Sequence, residues 1–134
     1  MNKYFLVFFL ALFTFQNNLL NAQSLKVMSY NIRLDVMSDG INQWKNRKEG
    51  IISLIEAHKP DIFGIQEGLP HQVEYLSKHL EEYTMIGEGR DGGKQGEYSA
   101  IYYHNKKIKL LKNETFWLSE TPKKPSIGWD AALN

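Results

Sequence analysis

The hydrophobic and polar positions of this chain follow two periods in turn. Residues 25–32 are rich in apolar and β-compatible side chains and predict a strand, and residues 33–43 have loop composition. From residue 44 to residue 59, apolar positions such as Trp44 recur at helical spacing, and Pro60 ends the helix. The pattern therefore predicts a strand followed by a helix.

A second strand and a second helix follow. Residues 61–66 form a short, nearly continuous apolar run, which is typical of a strand covered on both faces. Residues 70–80 carry a stripe at helical spacing, made of Val73, Leu76 and Leu80. This order of elements predicts a mixed α/β fold, with a helical crossover between two adjacent parallel strands.

The rest of the chain predicts strands and turns. Residues 83–87 have the composition of a short strand, and residues 89–96 are a loop with four glycines in eight positions. Residues 97–104 and 108–118 predict a hairpin that turns at residues 105–107. The segment after residue 118 is turn-rich and has no periodicity.

The first 22 residues have the order of a secretory signal peptide. Lys3 gives a positive start, residues 4–15 are almost entirely apolar, and Ala22 offers a small residue for cleavage before Gln23. An N-terminal membrane anchor and a buried strand are the alternatives, although the run is short for a span of roughly 20 residues. We expect export to the periplasm or the extracellular space, and no stable membrane insertion after cleavage.

Composition limits the classes of partner. The chain has 16 basic and 15 acidic residues and a formal net charge of +1, so it has no strong electrostatic footprint for nucleic acid or an anionic membrane. It contains no cysteine, which excludes a diacylated lipoprotein anchor and a disulfide framework. The 112 residues after the signal segment predict one small domain, which we expect to be a monomer.

Polar side chains stand where the first two strands should end. Asn31 closes the first strand, and Gln66 and Glu67 close the second. If these strands are adjacent and parallel, both ends lie at the sheet edge where α/β proteins place ligand sites. An amide oxygen and a carboxylate suit Mg²⁺ or Mn²⁺. The alternative is structural, with Asn31 and Glu67 capping loops.

Five segments resemble the endonuclease/exonuclease/phosphatase family, most closely its secreted bacterial members. They are VMSYNIR (27–33), PDIFGIQE (60–67), GRDGGKQGEYSAIYY (89–103), FWLSETP (116–122) and GWDAA (128–132). The resemblance implies a four-layer α/β/β/α sandwich, of which residues 23–134 would be the N-terminal half. It also implies hydrolysis of phosphodiesters or phosphomonoesters with a divalent cation.

The resemblance also implies roles for single residues. Glu67 would hold the cation directly, and Asn31 would position the cation or the scissile phosphate. Glu97 would orient a catalytic histidine, unless it only starts a strand. Arg90, in the glycine-rich loop, would bind a phosphate by charge-assisted hydrogen bonds, unless it is a solvated arginine. None of the four histidines (His58, His71, His79 and His104) falls in a family motif.

The chain departs from the family pattern in three motifs. The family's Asn-Thr-His strand, Gly-Asp-x-Asn segment and terminal Ser-Asp-His do not occur in these 134 residues. By resemblance, they supply the histidine base, the aspartate that polarises it and the pair that aligns phosphate and water. We therefore expect this chain to be an N-terminal fragment of a phosphoesterase that is inactive alone.

Two other functions fit the sequence. A non-catalytic secreted domain would bind a sugar or a protein partner through the aromatic residues of the C-terminal segment, Phe116, Trp117 and Trp129. A glycosidase would use Glu67 as its acid and needs a second carboxylate at a defined separation, which the spacing does not identify. Dependence on a divalent metal separates the phosphoesterase from both.

Overall fold

The computed structural model describes residues 23–128. The predicted signal peptide and Trp129 lie outside the described residues. The elements in chain order are strand β1 (Val27–Asn31), a 3₁₀ turn (Met37–Asn42), helix α1 (Trp44–His58), strand β2 (Ile62–Gln66), helix α2 (Pro70–His79), strand β3 (Tyr83–Ile86) and strand β4 (Ile101–His104). Among residues 23–128, no helix has the length and apolar character needed to span a membrane.

The four strands form one sheet in the order β1-β2-β4-β3. β1 and β2 are parallel, with Val27 opposite Ile62 and Asn31 opposite Gln66, and α1 forms the crossover between them. β4 is antiparallel to both of its neighbours, β2 and β3. The predicted mixed α/β class and the parallel first pair are therefore confirmed.

The core lies on one face of this sheet. Phe63 and Ile65 of β2 and Tyr102 of β4 are buried there against residues of both helices, including Ile55 and Leu76. The Phe63 and Tyr102 rings stack with centroids 4.7 Å apart. Burial of these side chains is the main stabilising contribution that the described residues show.

The opposite face of the sheet, which we call the open face, carries exposed apolar side chains. Val27 is 65% exposed and Ile101 45% exposed, and both lie on the face opposite Phe63. The prediction that β2 is covered on both faces is wrong for the described residues. Burial alternates along β2, because both helices pack on the same side.

The predicted hairpin is also wrong. β4 begins at Ile101 rather than at residue 97, and residues 108–118 form no strand. The physical reason is that β2 and β3 occupy both edges of β4, so no hydrogen-bonding edge remains for a hairpin partner. The expected loop after β1 contains the 3₁₀ turn, which bends at Gly40, where φ is +54°.

Candidate active site

Two side chains meet where the parallel strands end. The side-chain amide of Asn31 donates a hydrogen bond to Oε1 of Glu67 at 2.8 Å. Asn31 Oδ1 accepts the backbone N–H of Arg33 at 2.9 Å, and Glu67 Oε2 accepts the backbone N–H of Leu34 at 3.0 Å. The loop after β1 is thus fixed to the first residue after β2 by side chains that the sequence analysis singled out.

The backbone turns sharply at both strand ends. Arg33 has φ of +61° and Glu67 has φ of +60°, in the left-handed region that side chains other than glycine rarely adopt. Such residues persist only where the surrounding structure determines their conformation. The turn at Glu67 carries its carboxylate back toward Asn31 and the loop after β1.

Hydrogen bonding holds the Glu67 carboxyl in its ionised form. The bond from Asn31 is the largest cause that lowers the pKa of Glu67, followed by the Leu34 N–H, and the positive charge of Arg33 adds to them. The Arg33 guanidinium makes two bonds to Asp39, at 2.5 and 2.6 Å, which lower the pKa of Asp39 in turn. The site therefore presents a carboxylate at neutral pH.

A cleft of about 260 Å³ lies beside Glu67. Its other wall includes Arg90 and Glu97, whose side chains pair at 2.8 Å between Nη1 and Oε2. Gly68 and Tyr98 hold the two walls together, because each backbone N–H donates to the other's carbonyl. The structure thus brings Glu67, Arg90 and Glu97 to one cleft, with Glu97 preceding β4 rather than starting it.

The aromatic residues of the predicted alternative function also reach this cleft. Trp117 is half-buried, and its indole N–H donates to the carbonyl of Arg90 at 2.6 Å, so it supports the glycine-rich loop. Phe116 lines the cleft and is 64% exposed. Trp117 therefore contributes to the order of the Arg90 loop, whereas Phe116 offers a free apolar surface.

The donor atoms suit a hydrated cation. Each oxygen of the Glu67 carboxylate accepts one hydrogen bond, and a carboxylate offers about four lone-pair sites, so acceptor capacity remains. Among residues 23–128 no three His, Cys, Asp or Glu side chains cluster as a closed ligand set. One carboxylate in an open cleft fits Mg²⁺ or Mn²⁺, which keep several waters. Asn31 turns its N–H toward Glu67 and orients the carboxylate.

Two residues near the site were not found from the sequence. Gln72 of α2 is fully buried and donates to the carbonyl of Arg33 at 3.0 Å. Arg47 of α1 donates to the carbonyls of Ile32, Arg33 and Asn42. The available signal for Gln72 was its place four residues before Leu76, on the apolar side of a helix. Arg47 carries no such signal, because it is a charged residue among other polar residues of the same helix.

The same family emerges from comparison with known proteins. The profile of the endonuclease/exonuclease/phosphatase family matches residues 28–121. The chain belongs to this family. Members of this family hydrolyse phosphate esters, and they generally use divalent metals. The matched range contains Asn31, Glu67, Arg90 and Glu97.

This chain matches only part of the length of each individual relative. Protein L388 of Acanthamoeba polyphaga mimivirus is 34% identical over 113 residues, which are 78% of this chain and 42% of that protein. The solved structure of a Bacteroides thetaiotaomicron mannosyl-6-phosphatase is 44% identical with a TM-score of 0.78, over 82% of this chain and 42% of that one. Human tyrosyl-DNA phosphodiesterase 2 is 27% identical over 96 residues, 70% of this chain and 24% of that protein. The chain thus spans less than half of each relative.

Proposed function

We propose that the protein is a divalent-metal-dependent phosphoesterase whose cation, Mg²⁺ or Mn²⁺, binds at Glu67. The observation that carries this proposal is the contact between Asn31 and Glu67 at the adjoining ends of two parallel strands. The Glu67 carboxylate is held ionised there, beside a cleft that polar and aromatic side chains line together, and the family hydrolyses phosphate esters. A glycosidase assignment has no support from this family.

Four residues of the candidate site have distinct parts in the proposed reaction. The cation, when bound, supplies positive charge to the phosphoryl oxygens and to the leaving group. Glu67 holds it, and Asn31 fixes the carboxylate in place. Arg90 uses one N–H for Glu97 and is 62% exposed, so other guanidinium donors can reach a phosphate oxygen. Glu97 has the position to orient a histidine supplied by another part of the protein.

A phosphomonoester of a sugar is the substrate class that we propose first, from the likeness to the mannosyl-6-phosphatase. The mannosyl-6-phosphatase is more similar to this chain than the tyrosyl-DNA phosphodiesterase, at 44% against 27% identity. The net charge of +1 also gives no strong electrostatic footprint for a long nucleic acid. A phosphodiester remains the second substrate to test, and a non-catalytic module that binds sugar through Phe116 is the alternative outcome.

We also propose that the protein is exported, because of the pattern of its first 22 residues. They carry the signal peptide pattern, so the mature protein would begin near Gln23 and act as an exported monomer. Mass spectrometry of the exported protein checks the terminus, since an intact Met1 contradicts cleavage.

The test needs a protein that contains the family motifs absent from these 134 residues. Residues 23–128 are joined to the remaining part of the mannosyl-6-phosphatase, and we call the product the extended protein. It should hydrolyse mannose 6-phosphate with Mg²⁺ or Mn²⁺ and stop with EDTA. Glu67→Gln keeps the shape but removes the charge, so turnover should fall by about 100-fold or more.

The matched control is Glu74→Gln, an exposed glutamate of α2 that should leave turnover unchanged. The 134-residue chain should bind the cation weakly in calorimetry and show no turnover. Turnover that survives EDTA, or equal activity of the Glu67→Gln protein, contradicts the proposed metal site. Sugar binding without hydrolysis in the extended protein supports the binding module instead.

A further inference from the structure

We propose that Gln72 is a positioning residue, which sets the spacing of Asn31 and Glu67 and thereby the affinity for the cation. This inference rests on the proposed function. Gln72 does not touch the carboxylate of Glu67. It acts through the two loops that carry the site, one after β1 and one after β2.

The side chain of Gln72 is fully buried and uses both ends of its amide. Its Oε1 accepts the backbone N–H of Leu69 at 3.0 Å, and its Nε2 donates to the carbonyl of Arg33 at 3.0 Å. Leu69 lies two residues after Glu67, and Arg33 lies two residues after Asn31. One amide therefore joins the two loops, in each case two residues along the chain from a site residue.

The first of these bonds has an ordinary explanation and the second does not. A glutamine at the third position of a helix commonly reaches back to the N–H that precedes the helix, as Gln72 does to Leu69. The bond to Arg33 leaves the helix and crosses to a segment 39 residues earlier. Capping alone does not require it, so the second bond marks a role between the loops.

Each of the two loops that Gln72 joins contains a strained residue, Arg33 in one and Glu67 in the other. Arg33 and Glu67 both have positive φ, and neither is a glycine, so each needs support from its surroundings. Arg47 donates to the same Arg33 carbonyl at 3.2 Å and to Ile32 at 2.6 Å, but it makes no bond to the loop after β2. Gln72 is thus the buried side chain that transmits the position of one strand end to the other.

Burial makes the link costly to break. The fully buried Gln72 amide gains no water if either loop moves away from it, so its two hydrogen bonds favour the present position of both loops. A shift of either loop changes the contact of Asn31 with Glu67. The expected result is a weaker metal site in a protein that remains folded.

Two variants separate this role from helix capping. Gln72→Glu keeps the oxygen that caps Leu69 but loses the donor to Arg33, and Gln72→Met loses both bonds while keeping the volume. Mn²⁺ binding to the 134-residue chain, followed by electron paramagnetic resonance, should weaken by about 10-fold or more in both. In the extended protein, raised Mn²⁺ should restore kcat, which a purely structural defect would not allow.

The control is Leu76→Ala, in the next turn of the same helix. The Leu76 side chain is fully buried and has no group that could form a hydrogen bond to either loop. This substitution should lower stability without changing Mn²⁺ affinity. Unchanged Mn²⁺ affinity in both Gln72 variants overturns the inference while the proposed function stands. Absence of Mn²⁺ binding by the unsubstituted protein overturns the proposed function itself.

A measurement without substitution covers the case in which neither variant folds. In nuclear magnetic resonance spectra, the side-chain amide of Gln72 should exchange slowly and shift when Mg²⁺ is added. The side-chain amide of Asn105, which donates to the Glu81 carbonyl at 3.0 Å, should not shift. A Gln72 amide that exchanges freely, or does not respond to Mg²⁺, contradicts the positioning role.

Discussion

Asn31 donates its side-chain N–H to Glu67 at 2.8 Å, although 36 residues separate them in the chain. This bond is the largest cause that lowers the pKa of Glu67. Asn31→Ala should therefore raise the pKa of Glu67 toward the ordinary value of 4.5. Carbon-13 titration of the Glu67 carboxyl measures the change.

The comparison variant is Gln66→Ala. Gln66 pairs with Asn31 in the strand register, but its side chain donates to Ser29 rather than to Glu67. The Glu67 pKa should stay where it is in that protein. An equal shift in both variants would mean that general rearrangement, rather than the Asn31 bond, changes the carboxyl.

The ion pair of Asp61 with Lys107 should make stability depend on pH below neutrality. The Lys107 ammonium, at 2.6 Å, and the backbone N–H of Lys26 lower the pKa of Asp61 from its ordinary 3.8. A carboxyl whose pKa is lowered by folding stabilises the protein above the ordinary value, and that stabilisation is lost as pH falls through the folded-state pKa. Lys107→Met should lower the free energy of unfolding at pH 7. As the pH falls, the difference between this variant and the parent protein should disappear.

Urea unfolding between pH 7 and pH 2.5 follows this convergence. Lys109→Met removes an exposed lysine from the same segment and should leave the Asp61 contribution in place. Curves for the Lys107→Met protein that remain parallel to the parent at every pH would contradict the assignment to Asp61.

Two glycines should respond in opposite ways to a methyl group. Gly50 lies within α1, and a Cβ there meets no atom within 4 Å, so Gly50→Ala should stabilise the protein by about 0.5–1 kcal/mol. At Gly89 the same Cβ would overlap the Gln95 carbonyl oxygen, so Gly89→Ala should destabilise by about 1–3 kcal/mol. Thermal unfolding of both proteins gives the comparison, and equal effects would refute it.

The open face should govern the solubility of the 134-residue chain. Exposed apolar strands promote association between copies. Val27→Thr with Ile101→Thr should therefore reduce self-association of this chain, as light scattering measures. The same pair should destabilise the extended protein if its added half covers this face. Leu54→Gln, at an exposed leucine on α1, is the control and should change neither result.

The sequence predicts the helices and strands that follow from local periodicity, but it does not predict how β4 pairs with strands that are distant in the chain. β1, α1, β2 and α2 follow from periodicity, because each buries one stripe or run against its neighbours in the chain. The wrong hairpin came from assuming that adjacent strands pair, whereas β4 pairs with β2 and β3. No local pattern distinguishes these arrangements, since the edge that a strand uses depends on the whole sheet.

Part of the candidate site could likewise be predicted from the sequence, and part could not. Asn31 and Glu67 could be predicted because they are polar residues at the ends of two apolar strands. The parallel register of these strands brings them together. Their proposed role as a metal site remains a prediction. The bridge by Gln72 was missed because a buried glutamine leaves only a weak mark on a helical pattern. Its second partner, Arg33, belongs to a segment 39 residues away.

The position of β4 also determines the order in which the sheet can be assembled during synthesis. β3 has β4 as its strand neighbour, and 14 residues, including the glycine-rich loop, lie between the end of β3 and the start of β4. A nascent chain that has reached only Ile86 can close the β1–β2 pair under α1, but it must hold β3 without a partner. Residues 101–104 then insert between β2 and β3, so the four strands of residues 23–128 form one continuous sheet only after β4 has left the ribosome.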